Sequence, residues 1–379
     1  MPQHTATPHL PLATAASSTG RALTRSVDDP IARTPEGPGR SSPVGGDLLG
    51  EARTVVAPAL RAAIGALPAG IGRVVSYHFG WAELDGSTRD GEGSWGKGVR
   101  SALVLACADA VGGLRAAAVP AAVAVELMHN ASLIHDDLID GDALRRHRPS
   151  VWTAYSASTA ILAGDALLVA AIRALLSCAP HAVATVDRLT ADGLQLIEGE
   201  LVDTSFETRR DVALAECLTM MDDKTAALLQ CACALGARLG GATEERIHAL
   251  GRFGRHLGLA FQARDDLLGI SGSREVTGKP AQADLRRRKQ SLPVVVALNS
   301  GSPQAVELAA IYAAAAPLTD EQVARAAELI EASGALDWVH DYANKQIACA
   351  LDHLERADPT AHGRAQLTAL ARLVVDRTA

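Results

Sequence analysis

The sequence predicts an all-α protein, a single large helical bundle. Three observations carry that expectation. Alanine and leucine are abundant while aromatic residues make up only 3% of the chain, a balance that favours helices over sheets. The apolar runs end at glycines, prolines and capping residues, and no core segment alternates with a strand period. With 379 residues, 48% of them hydrophobic, the chain can bury a large core.

Residues 1–50 stand apart. They are rich in Pro, Ser, Thr and Gly and carry almost no periodic apolar residues, so they cannot bury enough surface to offset their ordering entropy. A disordered N-terminal tail is expected there, with the folded domain over 51–379. The tail lacks the apolar core of a secretory signal. Arg21, Arg25, Arg33 and Arg40 hint at a transit peptide, which Asp28, Asp29 and Glu36 oppose. The alternative to a plain tail is a docking or targeting segment.

In the folded part, a first helix is expected over 49–69 and a second from Gly70. A charged, glycine-rich break over 85–93 follows. Residues 101–134 are strongly apolar, but Asp109, Arg115, Pro120 and Glu126 interrupt them as a membrane span would rarely tolerate. Two buried helices, and no transmembrane segment, are expected. A helix follows Pro149 through Leu176, and another runs over 181–206. Asp211 reads as the N-cap of a helix stopped by Gly240 and Gly241. Thr243 reads as the cap of the helix carrying Asp265. Ser302-Pro303 and the pair Thr319 and Gln322 read as further helix starts.

A net charge of −7 argues against a nucleic-acid partner. The six cysteines are scattered, and Cys231 and Cys233 are too close for a usual zinc pair. They read as core thiols of a reducing, cytoplasmic compartment.

The chemistry concentrates in two stretches. In residues 126–152, Asp136 and Asp140 lie four apart on one helical face, with Asp137 beside them. Carboxylates this close repel unless a cation lies between them, and oxygen ligands completed by phosphates suit Mg²⁺. Arg145 and Arg146 follow, and guanidinium groups match phosphate oxygens in a fork. Residues 258–292 repeat the theme with Gln262, the pair Asp265 and Asp266, then Lys279 and Lys289. Upstream, Lys97 and Arg100 begin an apolar helix, a good anion site. His129 falls seven before Asp136, on the same face.

In these motifs the chain resembles the trans-isoprenyl diphosphate synthases, the polyprenyl synthetase family, and within it the actinobacterial-type geranylgeranyl/polyprenyl diphosphate synthases. DDxxD followed by two arginines is matched by Asp136, Asp137, Asp140, Arg145 and Arg146. FQxxDDxxD is matched through Asp266, with Gly269 in place of its last aspartate. GGKxxRP is matched as GKxxR, with Trp95 for the first Gly and Ser101 for the Pro. The KT pair is Lys224-Thr225, and KxxLP runs from Lys289 to Pro293. The resemblance covers about residues 51–379. It implies a helical bundle with the two acidic motifs facing each other across a central cleft.

The resemblance also implies the reaction. Mg²⁺, roughly three ions per site bound with the substrate diphosphate, would be held by Asp136, Asp137, Asp140, Asp265 and Asp266. Arg145, Lys224, Lys279 and Lys289 would stabilise the leaving diphosphate of an allylic substrate. Isopentenyl diphosphate would sit on Lys97, Arg100, His129 and Arg146, and Thr225 and Gln262 would stabilise the allylic cation. Ala131 and Ser132, five and four before Asp136, would line the product tunnel. Being small, they imply a product of C20 or longer. The family implies a homodimer, for which 101–134 and 157–176 offer apolar surface, and a tail able to dock to a protein shell. Two other classes share part of the pattern. A non-catalytic subunit of a heteromeric synthase would have lost parts of these motifs. A class I terpene cyclase would carry an Asn/Ser/Glu metal motif in place of FQxxDD.

Overall fold

The structure, a computed structural model, describes residues 43–89, 93, 95–271, 282–314 and 316–375. Most of the expected tail, and Lys279, lie outside them. The first helix, α1 (Pro43–Gly65), starts upstream of residue 49 and ends before residue 69. It is followed by α2 (Ala69–His78), α3 (Val99–Ala110) and α4 (Arg115–Ile139). Gly112, in the left-handed conformation at φ +82°, makes the turn between α3 and α4. Pro120 does not break the chain but lies within α4.

A short hairpin then departs from the all-helical expectation: β1 (Leu144–Arg145) pairs antiparallel with β2 (Arg148–Pro149). Its two turn residues, Arg146 and His147, both have positive φ, at 52° and 62°. Two residues per strand are too few to show an alternating pattern in sequence.

The expected helix after Pro149 is two helices, α5 (Val151–Ala154) and α6 (Ala157–Leu175). Ser156 breaks the run because its hydroxyl accepts the Thr159 N–H at 3.1 Å and so caps α6. α7 (Ala182–Phe206) matches the expected 181–206 closely. Asp211 is not a cap. α8 (Leu214–Met221) begins after Ala213, whose N–H goes to Glu216 at 3.0 Å, while Arg209 takes Asp211 and Glu216. A π-turn, Asp222–Ala226, joins α8 to α9 (Ala227–Leu239) without a gap. α10 (Glu244–Ser271) and the short α11 (Ala283–Arg286) come next. The chain closes with α12 (Leu292–Leu298), α13 (Pro303–Ala313), α14 (Asp320–Ala332), α15 (Ala335–Arg356) and α16 (Ala361–Val375). Ser302 and Thr319 cap α13 and α14 as expected, the latter in a full capping box with Gln322.

The bundle is built around α3, α4, α9 and α10. α3 packs on α4 and α9, α4 runs along α6, and α10 runs along both α9 and α15. Leu103, Val104, Leu127, Ile134, Leu235 and Phe253 are completely or almost completely buried in the main core. Two smaller clusters lie under α12, one shared with α8 and α15 and the other with α13 and α14. Arg246 of α10 ties three parts together by donating to the carbonyls of Ala357, Asp358, Ala110 and Val111. It satisfies carbonyls at the C-terminal ends of α3 and α15, where a positive charge is favoured.

The apolar residues divide differently from the sequence expectation. Residues 101–134 turn mostly inward, so they form core rather than an interface. The exposed apolar face belongs to α6 and α7, with Ile161, Leu162, Val169, Leu194, Ile197 and Leu201 outward. By length and composition alone, α4 and α6 could each cross a membrane. α4, however, is packed chiefly against α3, α6 and α9 and carries Glu126 and Asp136 along its length.

Candidate active site

Residues of three sequence motifs and His129 meet at one cavity of about 310 Å³. Lys97 and Arg100 from the start of α3, Glu126 and His129 from α4, Arg145 from β1, and Phe261 and Asp265 from α10 line it. Asp136, Asp137 and Asp140 do not line it; the first acidic motif contributes only its downstream Arg145 there, and the second contributes Phe261 and Asp265.

Asp136 and Asp140 lie at the end of α4, and Asp140 is its exposed C-cap residue. Burial raises the Asp136 pKa to about 7, and the Glu200 carboxylate of α7 pushes the same way against the pull of Lys224. Asp137 turns elsewhere. It is buried and takes both the Nε (2.8 Å) and Nη2 (2.5 Å) of Arg145 on one oxygen. This charge-assisted fork anchors the hairpin to α4. Arg148 secures its far strand on the carbonyls of Tyr77 and Ala82, both at 3.0 Å. A two-residue turn with both φ positive normally selects Asn and Gly, so Arg146 and His147 are held in strained conformations by these flanking contacts.

Arg146, displayed by that turn, is pushed down to about 10 by burial and by its neighbour Arg145. His129 is held well below its ordinary range by burial and by Arg100 and Arg146, so it is neutral. Its ring can donate a hydrogen bond without adding charge to a site already rich in arginine.

The GKxxR departures have physical accounts. Trp95 is buried and fixes the loop to the core, with Arg53 over its ring. Ser101 donates its backbone N–H to Glu126 at 3.1 Å and its hydroxyl to the same oxygen at 2.9 Å. Proline has no N–H and could not make the first of these bonds. Glu126, buried below Arg100, therefore pins the start of α3 onto α4.

Across the cavity a single chain of hydrogen bonds links three motifs. Thr225 donates to Gln262 at 2.6 Å, Gln262 donates to Asp266 at 2.7 Å, and Asp266 accepts the Leu292 N–H at 2.8 Å. Asp266 is buried, with its pKa raised to about 7 by burial against the opposing charge of Lys289. Asp265, one residue away, is exposed towards the cavity.

Lys224 rises from the π-turn and contacts Glu200 and Asp203, each at 2.6 Å. Burial opposes its charge, but these carboxylates and Asp136 outweigh it and hold the ammonium well above its ordinary range. Lys289 reaches Asp203 at 3.7 Å and is pushed up to about 12 by the same balance. The close approach that seats Lys224 depends on Gly199: a Cβ there would lie 2.2 Å from the Lys224 backbone nitrogen.

Glu126, Glu200 and Asp203 belong to the site and are absent from the sequence reading. Glu200 and Asp203 are three apart on a helix that was correctly placed, so the spacing was a usable signal. Glu126 offered none, since its partner lies 25 residues upstream. Asp222, beside the KT pair, is paired with Arg255 outside the cavity. Ala131 is fully buried in the core, and Ser132, half-buried, donates to the His129 carbonyl at 2.8 Å.

Residues 88–330 match the polyprenyl synthetase family model. The chain belongs to the polyprenyl synthetase family. A (2E,6E)-farnesyl diphosphate synthase of Mycobacterium tuberculosis is 43% identical over 88% of this chain and 93% of its own. A geranylgeranyl diphosphate synthase of the same organism is 44% identical over 88% of this chain and 94% of its own. The crystal structure of a polyprenyl synthetase from Streptomyces coelicolor superposes with a TM-score of 0.82 at 45% identity, covering 87% of this chain and 99% of that one. This polyprenyl synthetase is an isoprenyl diphosphate synthase, a trans-prenyltransferase with an all-α isoprenoid synthase fold. Relatives that stop at farnesyl and at geranylgeranyl diphosphate are equally similar, so resemblance does not select the product length.

A pH dependence follows from Asp136. Its folded pKa is raised, so the stability that protonation contributes is fully present below about pH 4 and lost as pH rises through about 7. Asp136→Asn mimics the protonated form and keeps that stability. In metal-free protein the variant is expected to melt above the wild type at pH 8, with the gap closing near pH 4. Thermal denaturation at stepped pH reads this, and a gap of the same size at both ends contradicts it.

Proposed function

We propose that this prenyltransferase joins isopentenyl diphosphate to an allylic diphosphate with Mg²⁺ held by Asp136, Asp140 and Asp265. What supports this reading is the cavity that brings Lys97, Arg100, His129, Arg145 and Asp265 together, and the cluster of Asp136, Glu200 and Lys224. The donor set fits the ion. All its ligands are oxygens, and Asp136 is crowded by Glu200 in a way that a cation would relieve. When bound, Mg²⁺ would neutralise the diphosphate that leaves the allylic substrate.

The chain's own residues do the rest. Lys224 and Lys289, held charged by Glu200 and Asp203, provide fixed positive potential for the leaving group. Arg145, braced by Asp137, keeps its orientation without reorganising. Asp137 and Asp266 act in this reading as braces: one Asp137 oxygen takes the Arg145 fork, and both Asp266 oxygens accept from protein donors. Lys97, Arg100, His129 and Arg146 hold isopentenyl diphosphate, whose double bond attacks the allylic carbon as the C–O bond breaks. Thr225 and Gln262 present oxygen dipoles to the cation. The proton lost from the new bond passes to the released diphosphate. The surrounding apolar wall excludes the water that would quench the cation.

The enzyme acts in the cytoplasm as a homodimer, with the apolar face of α6 and α7 as its interface. A closed two-fold contact is the commonest way to cover such a face. The product is C20 or longer, because Ala131 and Ser132 put no bulk one turn below Asp136.

Three measurements test these readings. Asp136→Ala and Asp265→Ala are each expected to lower turnover by about two to four orders of magnitude with helicity intact, on the scale of losing an electrostatic stabiliser. Near-normal turnover in either removes its metal role. Ser132→Phe is expected to shift the product towards C15 or C10, read by chromatography, and an unchanged distribution places the tunnel floor elsewhere. Sedimentation at micromolar concentration is expected to give a dimer, and a lone 39.3 kDa species rules out the interface.

A further inference from the structure

The turn that carries Lys224 is one residue out of α-helical register. The Ala227 N–H donates to the Asp222 carbonyl, five residues back, where an α-helix would use Asp223. Both flanks are fixed by burial. Cys217 and Met221 of α8 lie in one core cluster, and Leu228 and Leu235 of α9 lie in another. The extra residue is therefore confined to Asp222–Ala226. Whatever fixes its place also fixes the direction in which Lys224 and Thr225 leave the chain.

One face of α10 presses on that turn. Arg255, Gly258, Gln262 and Asp266 follow one another at steps of three, four and four, so they share a side of the helix. Gly258 lets the two backbones meet, since a Cβ there would lie 2.6 Å from the Ala226 Cα. Gln262 takes the Thr225 hydroxyl. Arg255 takes Asp222, its Nε donating to Oδ1 at 2.6 Å and its Nη2 to Oδ2. Such a fork fixes the plane of the carboxylate as well as its distance. Asp222 and Lys224, two residues apart, thus anchor the turn to different helices, one to α10 and the other to Glu200 and Asp203 of α7.

We propose that Asp222 and Arg255 are positioning residues for the prenyl transfer. Their fork holds the first residue of the π-turn, the one whose carbonyl accepts its defining hydrogen bond, and so aims Lys224 at the leaving diphosphate. This rests on the reading of Lys224 given above. Neither residue lines the cavity, so both act through the turn. Both are half-buried, and an ion pair open to water on one side adds little to the stability of the whole fold. Its contribution is direction. A lysine at 255 keeps the charge and loses the fork, and an asparagine at 222 keeps the shape and loses the charge.

Calorimetric titration of inorganic pyrophosphate into the full chain, at saturating Mg²⁺, tests the assignment. Asp222→Asn and Arg255→Lys are each expected to weaken pyrophosphate binding about tenfold and to lower kcat by a similar factor, with KM for isopentenyl diphosphate changed less than about twofold. In a Lys224→Ala background, Asp222→Asn is expected to add no further loss, because the pair acts through that lysine. An additive loss there overturns the proposal. So does wild-type pyrophosphate affinity in both Asp222→Asn and Arg255→Lys while Lys224→Ala is weakened, whatever happens to their melting temperatures, and this leaves the reading of Lys224 standing. Wild-type affinity in Lys224→Ala as well overturns both.

Discussion

The structure depends on holding like charges together in an apolar bundle. Asp136, Glu200 and Asp203 lie close around Lys224, and burial makes each charge more costly and each pairing stronger. One ammonium bridges two carboxylates, and a second, Lys289, approaches the same Asp203 oxygen at 3.7 Å. Burial raises the Asp136 pKa and Glu200 adds to the rise, while for Asp203 the pull of Lys289 and Lys224 outweighs burial and lowers it. On the proposed reading, a position for a cation and a charged ammonium arise from the same cluster.

Within that cluster, adjacent acidic residues divide their labour. Asp265 is exposed towards the cavity and Asp136 lies among Glu200 and Lys224, while Asp137 and Asp266 are engaged by protein donors. Asp137 is spent on Arg145, and Asp266 on Gln262 and the Leu292 N–H. These contacts convert linear motifs into one rigid unit. The KT pair, the second acidic motif and the lysine-leucine-proline segment are coupled through Thr225, Gln262 and Asp266. A shift in any of them is transmitted to the others, the behaviour expected of a preorganised site.

Strain is concentrated at the hairpin turn. Arg146 and His147 adopt left-handed conformations at a tight turn that their residue types do not favour. The cost is offset by the Asp137–Arg145 fork and by Arg148, which takes two backbone carbonyls and the Glu83 carboxylate. The result displays Arg145 and Arg146 side by side in spite of their mutual repulsion.

Much of this was legible in the chain itself. Helical period, caps and glycine stops located α7, α13 and α14 closely, because these signals are local. The acidic and basic motifs were legible because the chemistry demands fixed residue types at fixed spacings. The break at Ser156, the start of α8 and the hairpin were not, since each depends on a side chain choosing one partner among several nearby. The engagement of Asp137 by Arg145 and of Asp266 by Gln262, the joining of Glu126 to Ser101, and the seat of Asp284 over Gly269 were decided only by tertiary structure. They are contacts between segments that sequence spacing cannot relate, and burial then sets the charge states of the groups brought together.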